Sequence, residues 1–181
     1  MALPLNPSLY RRYLKPLVTA GILCILLPLL SSPVGAAGLI RTTLYIETQN
    51  GLLAFQVDVA NTIEQREKGL QHRHAMGPDI DGMLFIYDPP QPATMWMKDT
   101  FIALDMIFID ASGKITEIHP ERQPLSLTHV HSRDTVQAVL ELEAGTAKRL
   151  GIAPGDHIAC TQLVDPPLFS SCTHPVIAPG P

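Results

Sequence analysis

The sequence predicts a mainly β (α+β) domain: a single compact barrel-like or strongly bent mixed β-sheet with two short helices. Three observations lead to that class. Apolar segments of strand length alternate with turn-forming segments from residue 42 to residue 164. Only two short stretches carry helical spacing. No helical crossover long enough for a doubly wound parallel sheet lies between the strands.

Each element has a local reason. Thr42–Glu47 and Leu53–Val59 alternate as strands, and Asn50-Gly51 between them is a strong hairpin signal because both residues tolerate positive φ. In the segment from Asn61 to Gly69, Thr62 is placed to cap a helix and Gln65 to complete a capping box. Gly69 is its expected stop, and Ile63 and Leu70 are expected to point inward. After a polar loop from His72 to Asp81, the predicted strands are Met83–Tyr87, Ala93–Met97, Leu104–Ile109, Lys114–His119 and Val136–Leu142. Asp110-Ala111-Ser112-Gly113 is turn chemistry between two of them. Ala144–Leu150 makes the second helix, and Pro154-Gly155-Asp156 turns into a last strand, His157–Val164.

The ends of the 181-residue chain read differently from its middle. Arg11, Arg12 and Lys15 precede an apolar stretch from Leu17 to Leu30, and small residues follow up to Ala37. That is the pattern of a secretory signal, expected over residues 1–37 with cleavage after Ala36 or Ala37. The alternative, an uncleaved anchor, needs about 20 apolar residues, and this core is shorter and contains Pro28. The Arg11-Arg12 pair resembles a twin-arginine export signal with its spacing one residue short, so ordinary secretion is expected. Cys24 follows Leu23 where a lipid-modified cysteine needs a small residue. The expected product is exported, periplasmic or extracellular, without a stable membrane span. It consists of one β-rich domain, 38–164, and a proline-rich tail, 165–181.

Charge narrows the partners. Residues 38–181 hold 10 basic and 17 acidic side chains, a net charge of −7. An acidic body without a basic run is a poor binder of polyphosphates, so no nucleic acid is expected. Anionic membrane surfaces are disfavoured for the same reason. Cys160 and Cys172 form an even pair in an oxidising compartment and are expected to form one disulfide, stabilising by ~2–3 kcal/mol. A redox pair is the alternative, but it lacks the close Cys-x-x-Cys spacing.

Residues 82–110 are the most distinctive. They read Gly82-Met83-Leu84-Phe85, then Met95-Trp96-Met97-Lys98-Asp99-Thr100, then Leu104-Asp105-Met106-Ile107-Phe108. Arg66, Gly69, Leu70 and Arg73 stand before this block, and Glu141, Ala144, Gly145, Gly155 and Asp156 after it. Together they resemble the domain of unknown function 192 family over about residues 53–164. Asp99 stands where that family has Asn, Ala103 where it has Pro, and Gln71-His72 where it has Met and an apolar residue. The resemblance implies a compact β-rich domain, often exported, and no established reaction.

The residues themselves allow three functions. On a strand Trp96 and Lys98 share one face. Lys98 beside an indole wall suits an anionic or carbonyl-bearing ligand, although a lysine stem over an indole is also ordinary packing. Asp105 lies in an apolar strand, and a buried carboxylate is costly unless paired. Lys98, Arg73 or the Asp99 and Thr100 amides are its expected partners. It is either a polar clamp or a tuned acid. Glu141 shares a face with Gln137 and Val139, which suggests a solvated sheet edge. The first function is therefore a small-ligand or partner-binding module with a site at Arg73, Trp96, Lys98, Asp99, Thr100 and Asp105. The second is an enzyme with Asp105 or Glu141 as acid/base and Lys98 as electrostatic stabiliser. The third is a periplasmic copper carrier using His72-x-His74, His129-x-His131 and Met95-x-Met97. No third spacing fixes a metal site, and no cofactor is expected.

Overall fold

The computed structural model describes residues 38–159. The signal segment, Cys160, Cys172, the end of the last predicted strand and the tail lie outside the described residues. Among the described residues seven strands form one curled, half-barrel mixed sheet: β1 (Ile40–Thr48), β2 (Gly51–Ala60), β3 (Gly82–Met95), β4 (Leu104–Ile109), β5 (Ile115–Arg122), β6 (Val130–Glu143) and β7 (His157–Ala159). Two short helices, α1 (Ile63–Lys68) and α2 (Thr146–Leu150), complete it. The strand order is β5-β4-β6-β3-β2-β1-β7. Only β2 and β3 run parallel, because the chain returns to the sheet through α1 and the loop after it. The predicted class and both helices are present.

The hairpin turn sits one residue earlier than expected. Thr48 pairs with Gly51, so Gln49 and Asn50 form the loop. Gly51 alone supplies positive φ, at 117°, and the Thr48 hydroxyl holds the turn by accepting from the Asn50 amide and donating to the Gly51 carbonyl. Met83–Tyr87 and Ala93–Met97, expected as separate strands, are joined in β3, which ends at Met95, so Trp96 and Met97 lie past the strand and not on it as expected. β3 passes through its prolines at a register shift against β6 between Ile86 and Gln91, which absorbs residues that cannot donate to the ladder.

The capping box on α1 is formed. The Thr62 hydroxyl accepts from the Gln65 amide, and the Gln65 side chain accepts from the Asn61 and Thr62 amides. Ile63, expected to face inward, is 62% exposed, and α1 itself buries no residue. Leu70, just after the helix, does the packing. Because α1 has so little apolar anchorage, its cap matters. Thr62→Ala is expected to lower stability by about 1 kcal/mol, read from urea denaturation.

Alternation along the strands makes two apolar layers, one on each face of the sheet. Leu44, Ile46, Val57, Leu84, Ile107, Leu140 and Leu142 belong to one. Met83, Phe85, Tyr87, Leu104, Met106, Phe108 and Val139 belong to the other, where Leu70, Met76, Met95, Met97 and Ile102 cover them. The central strands β6 and β3 approach closely at Gly82, where a Cβ would collide with the Glu141 carbonyl oxygen. Glycine at position 82 thus fixes the backbone beside Glu141.

Candidate functional site

The second apolar layer is incomplete. A cavity of about 550 Å³ opens between the sheet, α1 and the 96–100 loop. Leu70, Phe85, Tyr87 and Met95 give it apolar walls; Arg66, Glu67, Lys68, Trp96, Lys98, Thr100, His129 and Glu141 supply the chemistry.

Glu141 is the least expected of these. It stands mid-sheet on β6, directly opposite Met83 of β3 and Met106 of β4, and is 3% exposed. The expectation of a solvated sheet edge is wrong. Polar–apolar alternation does not distinguish an edge from a central strand whose second face is roofed by a long loop, and here β6 is central. Among the described residues nothing donates a hydrogen bond to the Glu141 carboxyl and no cation pairs with it. Burial alone pushes its pKa up from 4.5 to about 8. At neutral pH this group is mainly a carboxylic acid, able to donate as well as accept. Tyr87 is pushed up to about 12, chiefly by burial; the nearby Arg66 opposes the rise and Glu141 adds to it. The Tyr87 hydroxyl donates to the Met95 sulfur at 3.4 Å, and the Arg66 guanidinium lies 5.2 Å over the Tyr87 ring.

The mouth is built by loops. Met97 donates to the Ser126 carbonyl, Leu125 to that of Thr100, and His72 to that of Asp99. These bonds tie the 96–100 loop between two neighbours. Trp96 is 42% exposed, and the Lys98 ammonium lies 5.2 Å from the centre of its ring, while Met95 and Met97 are buried. His129 packs against Trp96 at 5.5 Å between ring centres.

Trp96, Lys98, Thr100 and Glu141 therefore come together at one cavity. Arg73, Asp99 and Asp105 do not line it. Arg73 is occupied with Asp58, at 3.2 Å. Asp105 is fully buried on the opposite face of the sheet, beside Leu142. Its partners are not those expected: the carboxylate accepts from the amides of Glu121, Gly145 and Ala147 at 2.9–3.1 Å. It thereby serves the start of α2, whose N-cap Gly145 has no side chain to do so.

The histidines are used locally. His74 stacks on Phe101 at 4.4 Å, and His131 hydrogen-bonds Thr94 at 3.0 Å. No group of three or more His, Cys, Asp or Glu among the described residues is arranged to hold a metal ion.

A family model described as "Uncharacterized ACR", domain of unknown function 192, matches residues 45–160. The chain belongs to this family. Two crystal structures are similar at a TM-score of 0.64, each match covering 68% of this chain. One, from Sinorhizobium meliloti 1021, carries the provisional name of a transcription regulator; it is 42% identical, with 96% of that chain covered. The other, a protein of unknown function from Novosphingobium aromaticivorans, is 34% identical, with 88% covered. No curated protein matches the chain. Against the domain of unknown function 192 pattern, the Asp99 departure has a backbone explanation. Position 99 takes a φ of 53°, which Asn and Asp tolerate better than other non-glycine residues.

Arg66, Lys68 and Tyr87 were not singled out as site residues by sequence reasoning, and Met95 and His129 were considered only as copper ligands. Of the first three only Arg66 carried a signal, its place in the family pattern. The others reach the cavity through the turn of α1 and the pairing of β3 with β6.

Proposed function

We propose that this protein is an exported, single-domain small-ligand-binding module, working in the periplasm or outside the cell, with its site in the Glu141 cavity. The observation that carries the reading is Glu141: a buried, unpartnered carboxyl facing open volume between a lysine–indole pair and an aromatic floor. Burying such a group without a partner costs stability, and a ligand that hydrogen-bonds it offsets that cost. The cavity volume falls within the range that takes a drug-sized molecule. The name of the Sinorhizobium relative does not transfer easily, because the net charge of −7 over residues 38–181 disfavours nucleic acid.

A second reading rests on the same acid. A carboxyl that keeps its proton at neutral pH also suits a general acid, with Lys98 stabilising developing negative charge. One experiment separates the two. The protein is incubated with the small-molecule pool of its host's exported fraction, and retained and altered species are followed by mass spectrometry. Binding predicts a retained species, lost in Glu141→Met, without turnover. Turnover abolished by Glu141→Gln replaces binding with catalysis, and neither retention nor turnover rejects both.

A further inference from the structure

The cavity is chemically polarised. At its mouth stand Arg66, Lys68 and Lys98 against one acidic side chain, Glu67. Neither Lys68 nor Lys98 has a carboxylate partner among the described residues. This is a cationic rim on a body of net charge −7, so its positive potential is a local feature. Inside, the walls are hydrocarbon and aromatic, and the polar group Glu141 has nothing to bond.

Resting on the reading of this cavity as a ligand site, we infer that its ligand is an amphipathic organic anion. Its charged group sits on Lys98 and Lys68, its apolar body lies against Phe85 and Met95, and an acceptor oxygen on that body accepts a hydrogen bond from the Glu141 carboxyl. Each part excludes something. A cation meets three positive side chains at the entrance. A small inorganic anion leaves the apolar walls and Glu141 unused. A polyanion meets an acidic surface beyond the rim. A purely apolar molecule leaves the buried carboxyl as unsatisfied as before. Trp96, with the Lys98 ammonium 5.2 Å from its ring centre, adds an aromatic surface to the lining, which favours an aromatic or otherwise planar body.

The test uses defined probes on the full protein, with affinities from calorimetry and amide NMR shifts to locate binding. Para-acetylbenzoate and its longer homologue para-acetylphenylacetate have an anion, a planar body and a distal carbonyl. The matched benzamide removes the charge, the benzylamine inverts it, and para-ethylbenzoate removes the acceptor. At least one keto-acid is expected to bind roughly tenfold tighter than its amide, and Lys98→Met is expected to erase most of that preference. Its advantage over the ethyl compound is expected to be roughly three- to tenfold and to vanish in Glu141→Met. Glu141→Gln, which keeps an N–H donor, should retain much of it. The acetyl-versus-ethyl comparison on the unaltered protein does not depend on either variant folding. Tighter binding of the amine, equal binding of acetyl and ethyl compounds, or no binding by either keto-acid overturns the inference. If the keto-acids fail while a molecule is still retained from the exported pool, the cavity remains a ligand site and only the ligand class is wrong.

Discussion

Asp105→Ala is expected to lower the unfolding free energy by roughly 3–5 kcal/mol at pH 7, among the largest effects of any single side chain in this fold. The Asp105 carboxylate accepts from three backbone amides belonging to two different segments, and it is fully buried. Removing it orphans all three donors at once. Glu121 is held with φ at 49°, a conformation a non-glycine residue adopts only when its surroundings hold it there. Gly145 and Ala147 begin α2, which has no side-chain cap of its own. Asp105→Asn is expected to cost about half as much, since one oxygen still accepts while the amide group faces an N–H donor. Urea denaturation measures both. A loss below about 1 kcal/mol in Asp105→Ala would sink the assignment of a backbone clamp. A loss of ligand binding in the folded fraction would place Asp105 in the site instead, contrary to its position on the other face of the sheet.

The second large effect is pH-dependent. Glu141 has its folded-state pKa raised to about 8 from 4.5 by burial. Below about pH 4.5 the group is protonated in both states and adds no pH dependence. As pH rises, the unfolded chain loses this proton first, so the folded state binds more protons and stability falls. The slope is on the order of 1.4 kcal/mol per pH unit, and the loss levels off above about pH 8 at roughly 3–5 kcal/mol. Glu141→Gln cannot titrate and is expected to lack this component. The difference in stability between the two proteins should therefore move in favour of the variant between pH 5 and pH 8. Other titrating groups contribute alike to both and cancel in the difference. A difference independent of pH would mean that Glu141 ionises at its ordinary value in the folded protein.

The fold was largely legible because strand alternation and turn chemistry are local. Leu104–Ile109 was read with its true ends, and Thr62 and Gln65 announced their capping box. The errors came where tertiary context overrides the local pattern. Ile63 has the right spacing to face the core, but α1 lies at the periphery and leaves it in solvent. The strand was expected to stop between Tyr87 and Ala93, whereas a register shift carries it through the prolines there.

The site was legible in part. Trp96, Lys98 and Thr100 lie close together in sequence and reach one cavity. Asp105 was conspicuous for the right reason, since a carboxylate in an apolar strand must be satisfied. Its partners come from residues 121, 145 and 147, which no spacing connects to it. Glu141 was underrated because its neighbours Gln137 and Val139 suggested water. The local pattern shows neither that β6 is a central strand nor that this face is covered by Leu70, Met76, Met97 and Ile102 from the flanking loops.

The account depends on Glu141 being an unpartnered acid at the floor of the cavity, and its carboxyl carbon reports this directly by NMR. With glutamate labelled at the side-chain carboxyl, and the signal assigned by its absence in Glu141→Gln, the chemical shift is followed from pH 4 to pH 10. A midpoint near 8 in the free protein is the predicted result. A midpoint near the ordinary value of 4.5 would contradict the account, showing a carboxylate already solvated or paired and a cavity floor without the acid on which the proposed ligand depends.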